Sequence, residues 1–447
     1  MNKLICTILT IALVMVVAID ARMLFEGNRK PNNFKVDLSG YTQEQLTPQF
    51  TEDDNPFEHS GYITINATAG AKMYYLYFPS QDGNKDAPLL IWLQGGPGCS
   101  SMSGAFLEMG PYSVNKDTLK LEKREHSWNE HYDMLFIDNP VGTGFSYAHD
   151  DSVLVTNQVQ VARDLYKTIQ GVFDKYTQLI PKKLYITGES YAGKYVPSIT
   201  SHIVDQNKNG NNRRINIAGM AIGDGLTDPL HQMEYEGMAY PMGLISDAQS
   251  VEAKQRQEEA VSLIKQERWG EAYAKWNSVL DLILRNSGVN VYDIREFGSY
   301  NFDFLDKYLN LPYVQKLMHA ERVWNECDGK VYQYLQLDMI QSVADYVTNV
   351  LDNGVDVLIY NAQYDLIIPT LSSFNWVRHL EWSGQGNYKA APRHIYKVGN
   401  DIAGYRRSTH DGRLTQFVLI GAGHLAPMNQ IKYSQAMITD FINGKFI

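Results

Sequence analysis

The chain has 447 residues, 44% hydrophobic and 20% charged, with a formal net charge of −10. Those proportions are ordinary for a globular protein with a sizeable core, and the length suits one large domain with an insertion or two or three smaller ones. The acidic balance argues against nucleic acid as the main partner.

The chain opens MNKLICTILTIALVMVVAIDAR: a positive Lys3, an apolar run from Leu4 to Val17, and small or branched residues at Val16-Val17-Ala18. This is the pattern of a cleaved signal peptide, residues 1–18. The run is short for a ~20-residue span, which disfavours an uncleaved anchor, and no other stretch is long and apolar enough to cross a bilayer. The mature chain is thus expected in the secretory pathway, free of the membrane. Cys6 leaves with the signal, so Cys99 and Cys327 are what remains of three cysteines. In an exported chain they pair, or they stay as two separate buried thiols. Asn66-Ala67-Thr68 is a sequon, so Asn66 is a candidate glycosylation site.

From Gly61 to Ile222, strand-like and helix-like segments alternate. Met73 to Phe78 (MYYLYF), Pro88 to Leu93 (PLLIWL), Met134 to Ile137 (MLFI), Leu184 to Thr187 (LYIT) and Ile215 to Ile222 (INIAGMAI) read as strands. Val159 to Tyr176 carries Val161, Leu165, Ile169, Val172 and Phe173 at helical spacing. Strands bounded by glycine turns and separated by helices predict an α/β fold with a largely parallel sheet. From about Pro229 the strand signal fades. Ser246-Asp247-Ala248-Gln249 resembles a capping box, and Trp269, Tyr273, Trp276, Leu280 and Ile283 form one apolar helix face, read as packing rather than binding. Strand signals resume at Val355 to Tyr360 (VDVLIY), His394 to Lys397 and Gln416 to Ile420 (QFVLI). The expected organisation is a core of residues 19–228 and 335–447, with a helical insertion, 229–334, over the working edge of the sheet.

Ser190 lies in GESYAG, just after the strand LYIT. A strand-turn-helix nucleophile elbow needs small residues around its serine. Gly188 and Ala192 supply them, and Gly193 falls outside the elbow. A serine nucleophile needs a base, and the base an orienting acid. The strand VDVLIY runs into a loop bearing Asp365, and QFVLI runs through Gly421-Ala422-Gly423 into His424. None of the other residues among the 11 histidines follows a strong apolar strand through a glycine turn. The order Ser, Asp, His is that of an α/β-hydrolase triad. The strand PLLIWL ends in Gln94-Gly95-Gly96-Pro97-Gly98-Cys99-Ser100-Ser101, where glycines let backbone N–H groups approach an oxyanion.

WLQGGPGCSS, DNPVGTGFSY, ITGESYAGKYVP and GAGHLAP together resemble the signature blocks of the serine carboxypeptidases, from Gly61 to the C-terminus. GYITINATAGAKMYYLYFP and VLIYNAQYDLIIP are similar to the vitellogenic-like branch. The resemblance implies an α/β-hydrolase fold and an acid-active exopeptidase that releases single residues from peptide C-termini through an acyl-enzyme, with no metal or other cofactor. It implies Ser190 as nucleophile, His424 as general base and acid, Asp365 as its orienting acid, and the N–H groups of Gly96 and Tyr191 as oxyanion hole. The substrate carboxylate would be held by Gln94 and Glu189, with Glu108 paired to Glu189, and Cys99 would bond Cys327.

Two glutamates against a substrate carboxylate cannot all be ionised, so at least one proton is retained. The chain departs from the family in having Gln94 where Asn is common, Asn429 before Gln430 where Asp is frequent, and Leu425 after the histidine. Two rivals are an acyltransferase built on the same triad and a catalytically idle binding or protective protein. The glutamates and the Gln94 amide argue against the first, and the complete triad against the second. Residue preference, homodimerisation, and secretion versus delivery to a lysosome or vacuole are left open by the sequence.

Overall fold

The computed structural model describes residues 38–446, so the signal expected at residues 1–18 lies outside the described residues. Strands β1 (Ser60–Asn66), β2 (Ala71–Phe78) and β3 (Leu89–Leu93) come first, then a small separate hairpin of β4 (Tyr112–Val114) and β5 (Leu121–Lys123). They are followed by β6 (Asp133–Ile137), β7 (Leu184–Glu189), β8 (Ile217–Gly223), β9 (Asp356–Ala362), β10 (Arg393–Val398), β11 (Asp401–Ser408) and β12 (Leu414–Leu419). The main sheet has 10 strands in the order β1-β2-β6-β3-β7-β8-β9-β12-β11-β10. Its centre, β6 through β12, is parallel, and both flanks are antiparallel.

Strands β3, β6, β7 and β12 are buried along their whole length, as a parallel sheet covered on both faces requires. Alternation along β3 divides the core. Leu89, Ile91 and Leu93 pack with Val161, Leu165 and Ile169 of helix α1 (Gln158–Lys175) and with Tyr195 and Ile199 of α2 (Ala192–Asn209). Leu90 and Trp92 point the other way, into a layer with Met437, Ile438 and Phe441 of the helix Ile431–Ile442. Each fully buried aliphatic side chain in these layers contributes about 1.5–3 kcal/mol. An aspartate at Leu165 or Ile169 would place an unpaired charge against β3 and break the layer.

Between β8 and β9 the chain adds no strand to the sheet. Helices α3 (Asp247–Lys265) and α4 (Trp269–Ser287) pack as a hairpin. Trp276, Leu280 and Ile283 are buried, with Trp269 and Tyr273 half-buried against the same cluster, and Gln249 Oε1 accepts the Ser246 N–H at 2.8 Å. The helix Gly329–Leu335 runs across the expected end of the insertion. The sequence reading missed four strands: the short β4–β5 hairpin, and β1 and β11 of the main sheet. β11, DIAGYRRS, pairs β10 in a hairpin and is only partly buried, so it lacks the apolar run that marks the central strands. β1 is an edge strand with a mixed burial pattern.

Candidate active site

The sheet reverses its winding at β3, which has β6 on one side and β7 on the other. Crevices at such switch points, beyond the carboxyl ends of the strands, are where α/β folds bind ligands. The loops after β3, β6, β7, β8, β9 and β12 all emerge on that edge, each carrying a polar group: Gln94, Asp138, Ser190, Asp224, Asp365 and His424.

Ser190 follows β7 directly and has φ 62°, in the left-handed region. For a non-glycine residue this strain costs on the order of 1–3 kcal/mol and is typical of a functional turn. The turn is held by the surrounding backbone: the Ser190 N–H donates to Gly223 O at 3.0 Å, and Ser190 O accepts from Gly193 and Leu226 at 2.9 and 3.0 Å. The loop after β3 closes on this turn. A Cβ on Gly95 would lie 2.6 Å from Ser190 Cβ and 2.7 Å from Tyr191 N, so only glycine fits there. Gly193, placed outside the elbow on sequence grounds, is also constrained: a Cβ there would sit 2.6 Å from Leu226 N, in the loop after β8. Among the described residues, neither Gly96 nor Tyr191 donates its N–H to another backbone group. The Tyr191 side chain is anchored behind the turn, its hydroxyl donating to Asp338 Oδ2 at 2.5 Å, with Gln158 Nε2 donating to the same oxygen at 2.7 Å.

His424 Nδ1 meets Asp365 Oδ2 at 2.7 Å, and both side chains are buried. Asp365 Oδ1 accepts the Ile368 N–H at 3.1 Å, so both carboxylate oxygens are engaged. With Nδ1–H donated to the aspartate, Nε2 is left as the basic nitrogen. Nε2 has no hydrogen-bond partner, so a Ser190–His424 bond is not made in this structure. The helical insertion supplies part of this site, which the sequence reading did not identify. Tyr292 O accepts the His424 N–H at 2.7 Å, and the Tyr292 ring lies 5.2 Å from the imidazole. Arg295 clamps Asp293 through Nε and Nη2 and donates to Gly421 O at 2.9 Å. Asn429, the departure from the family pattern, accepts the Gly423 N–H at 2.7 Å and so supports the histidine loop.

On the other side of Ser190, Gln94, Glu108 and Glu189 form a buried cluster. The Gln94 amide nitrogen donates to Glu189 Oε1 at 2.8 Å and to Glu108 Oε1 at 3.2 Å, while its oxygen accepts from Trp92 Nε1 at 2.8 Å. Glu108 ends a π-type turn, Gly104–Glu108, closed by a Met109 N–H to Gly104 O bond of 3.0 Å. Glu108 Oε2 and Glu189 Oε2 accept no N–H or hydroxyl donor, and the two carboxyl groups lie within hydrogen-bond reach of each other. Burial pushes both carboxyl groups above the ordinary glutamate range, and at Glu189 the neighbouring Glu108 adds to the effect. The pair therefore holds a proton far more readily than isolated glutamates do.

Cys99 and Cys327 are joined in a disulfide that spans a sequence separation of 228. Around it the Ser100 N–H donates to Glu326 O at 2.8 Å and the Asp328 N–H to Gly98 O at 2.9 Å, so the insertion is sewn to the loop after β3. Asp138 holds that loop from the sheet side, accepting from Ser100 Oγ at 2.6 Å, Ser101 N at 2.9 Å and Phe145 N at 2.8 Å. Burial raises its carboxyl to about 6 despite these donors. Asp138 and Asp224 carried no role in the sequence reading, although both sit directly after apolar strands, as Ser190 does.

The family model described as serine carboxypeptidase matches residues 48–444. The chain is 37% identical to the venom serine carboxypeptidase of Apis mellifera, over 87% of this chain and 84% of that one. It is 34% identical to the probable serine carboxypeptidase CPVL of Homo sapiens, over 88% and 84% respectively. Its fold superposes on the prohormone-processing carboxypeptidase Kex1 of Saccharomyces cerevisiae with a TM-score of 0.78 at 26% identity, covering 86% of this chain and 91% of that one. The chain belongs to the serine carboxypeptidase family: it is an acid-active α/β-hydrolase that removes single residues from free peptide C-termini through an acyl-enzyme.

Proposed function

We propose that Ser190, His424 and Asp365 are the triad of this carboxypeptidase, with Gly96 and Tyr191 as the oxyanion donors and Gln94, Glu189 and Glu108 as the seat of the substrate's terminal carboxylate. Ser190 Oγ attacks the last peptide carbonyl as its proton passes to His424 Nε2. The oxyanion that forms is met by the N–H groups of Gly96 and Tyr191. His424 then hands the proton to the departing amine, and the same imidazole activates the water that releases the shortened peptide.

The observation that carries this reading is the Gln94 amide bonded to two buried glutamates beside the strained Ser190 turn. A buried pair of carboxyl groups accepts a third carboxylate only while a proton is present, which selects free C-termini at acidic pH. As pH rises the shared proton is lost, and the site repels its substrate.

The chain is exported by the signal at residues 1–18, with Asn66 glycosylated at the exposed end of β1. Residues 229–334 act as a lid whose Tyr292 segment closes against the histidine loop. Among the described residues no helix is long and apolar enough to cross a membrane. The decisive assay compares blocked dipeptides with their C-terminal amides at mildly acidic pH, with Ser190→Ala as control. Release of the last residue from the acids alone, abolished by Ser190→Ala, is the expected outcome. Equal cleavage of acids and amides overturns the assignment of the carboxylate seat.

A further inference from the structure

Asp224 stands in the Gly223-Asp224-Gly225 turn after β8, fully buried, with φ 41°. Its carboxylate, that of Asp365 and the His424 imidazole converge, with one donor atom of each lying within 4.8 Å of the others. Asp224 Oδ1 accepts the Ala362 N–H at 2.8 Å and Asn361 Nδ2 at 3.3 Å, whereas Oδ2 is buried without a partner. The titratable groups facing Asp224 are Asp365 on the loop after β9, Tyr360 of β9, Glu189 at the end of β7, and His424. Tyr235, Tyr292 and Tyr300 face Asp365 from the insertion side. None of these is a permanent cation.

Two carboxylates meeting in a dry site cannot both be charged. Both oxygens of Asp365 already accept N–H donors. The one open position for a proton is Asp224 Oδ2. The Asp224 carboxyl is indeed held well above its ordinary range, first by burial and then by Asp365.

We propose that Asp224 is a positioning residue of the triad: it stays protonated and donates from Oδ2 to the Asp365 carboxylate, so that a single negative charge stands behind the imidazole. This rests on the triad assigned above but goes beyond it. A donor on Asp365 spreads the carboxylate's charge and weakens its hold on the His424 proton. Loss of that donor should therefore be read in the acid limb of the activity profile. The device adapts the triad to acid, as the Gln94 cluster adapts the substrate seat.

Two variants test it. Asp224→Leu removes the donor; kcat/KM should fall about 10–100-fold, the range for groups that orient a functional side chain, with the acid limb of the profile displaced to higher pH. Asp224→Asn keeps an N–H donor and an acceptor for Ala362; it should restore kcat/KM to within about 3-fold of wild type, with the acid limb returned. Infrared difference spectra of folded, substrate-free enzyme at neutral pH give a readout independent of activity. Wild type minus Asp224→Asn should show the C=O band of a protonated carboxyl group. Absence of that band, an unmoved acid limb in Asp224→Leu, or loss of wild-type activity on chelation (which would place a cation among the three donors) overturns the proposal. Because the spectra need no substrate, failure here is distinguishable from failure of the triad assignment, which Ser190→Ala reads.

Discussion

Two pairs of buried carboxyl groups flank Ser190 and are held in different ways. Glu108 and Glu189 are bridged by the Gln94 amide, and each keeps one oxygen that accepts no N–H or hydroxyl donor. Asp224 and Asp365 have no amide between their side chains. Asp365 spends both oxygens on His424 and Ile368, and only Asp224 keeps an open one. The contrast teaches how burial of the same chemical group serves two ends. A pair of carboxyl groups gathered by one amide can share a proton across a binding seat, whereas a carboxylate with both oxygens engaged by N–H donors orients a neighbour.

Substitutions that neutralise one carboxyl on each side should separate the two functions. Asp365→Asn should lower kcat about 10⁴-fold, the loss expected when a triad aspartate no longer selects the histidine tautomer, with KM little changed. Steady-state kinetics on a blocked dipeptide checks this. If kcat falls less than about 10-fold, Asp365 does not orient the base.

Glu189→Gln should act on the other parameter. Loss of a hydrogen bond to a charged group is worth about 1.5–3 kcal/mol, so KM for a free-carboxylate substrate should rise about 10–150-fold. Cleavage of an ester lacking that carboxylate should stay within about 3-fold. The pH dependence sharpens the point. In the wild type both glutamates are raised by burial, so KM should climb as pH rises above the ordinary glutamate value of 4.5 and the shared proton is lost. In Glu189→Gln the climb should flatten, and a climb as steep as in the wild type would detach Glu189 from substrate binding.

Residues were legible in the sequence where one strand alone determined their position. Ser190, Asp365 and His424 each follow a recognisable apolar run, so the run locates the residue. Glu108 follows no strand; it is placed by a π-type turn and was found only through family resemblance. Asp224 resembled an ordinary Gly-Asp-Gly turn, because its meaning depends on β8 lying beside β9, a long-range fact. Tyr292 and Asp293 come from the insertion, whose apolar spacing marks helices but does not reveal which connecting segment returns to the histidine. β11 was missed for a related reason: an outer strand needs fewer apolar residues than a buried one.

The same buried pair predicts an effect on stability. Because the folded-state values of Glu108 and Glu189 lie above the unfolded value of 4.5, the folded chain binds more protons than the unfolded chain in the window above it. Their contribution is therefore fully present below about pH 4.5 and is lost progressively as pH rises through the folded value. Thermal denaturation across that window should show the wild-type Tm falling with pH, and Glu108→Gln, which cannot lose the proton, should reduce the slope. An unchanged slope would mean that the proton is not shared in the free enzyme.

The smallest effect is expected at Gln94, whose length sets the amide bridge. Its nitrogen spans Glu189 and Glu108 at 2.8 and 3.2 Å while its oxygen reaches Trp92 at 2.8 Å. Gln94→Asn keeps the amide but shortens the reach by one methylene, so one of these bonds must lengthen unless the loop after β3 moves. That loop is held by the disulfide, by Asp138 and by the close approach of Gly95 to Ser190, which leaves the amide little room to follow. One neutral hydrogen bond is worth about 0.5–1.5 kcal/mol, so KM should rise about 2–12-fold with kcat nearly constant. A fall in kcat with KM unchanged would place Gln94 with the oxyanion loop rather than with the glutamates, and would remove the amide from the comparison between the two pairs.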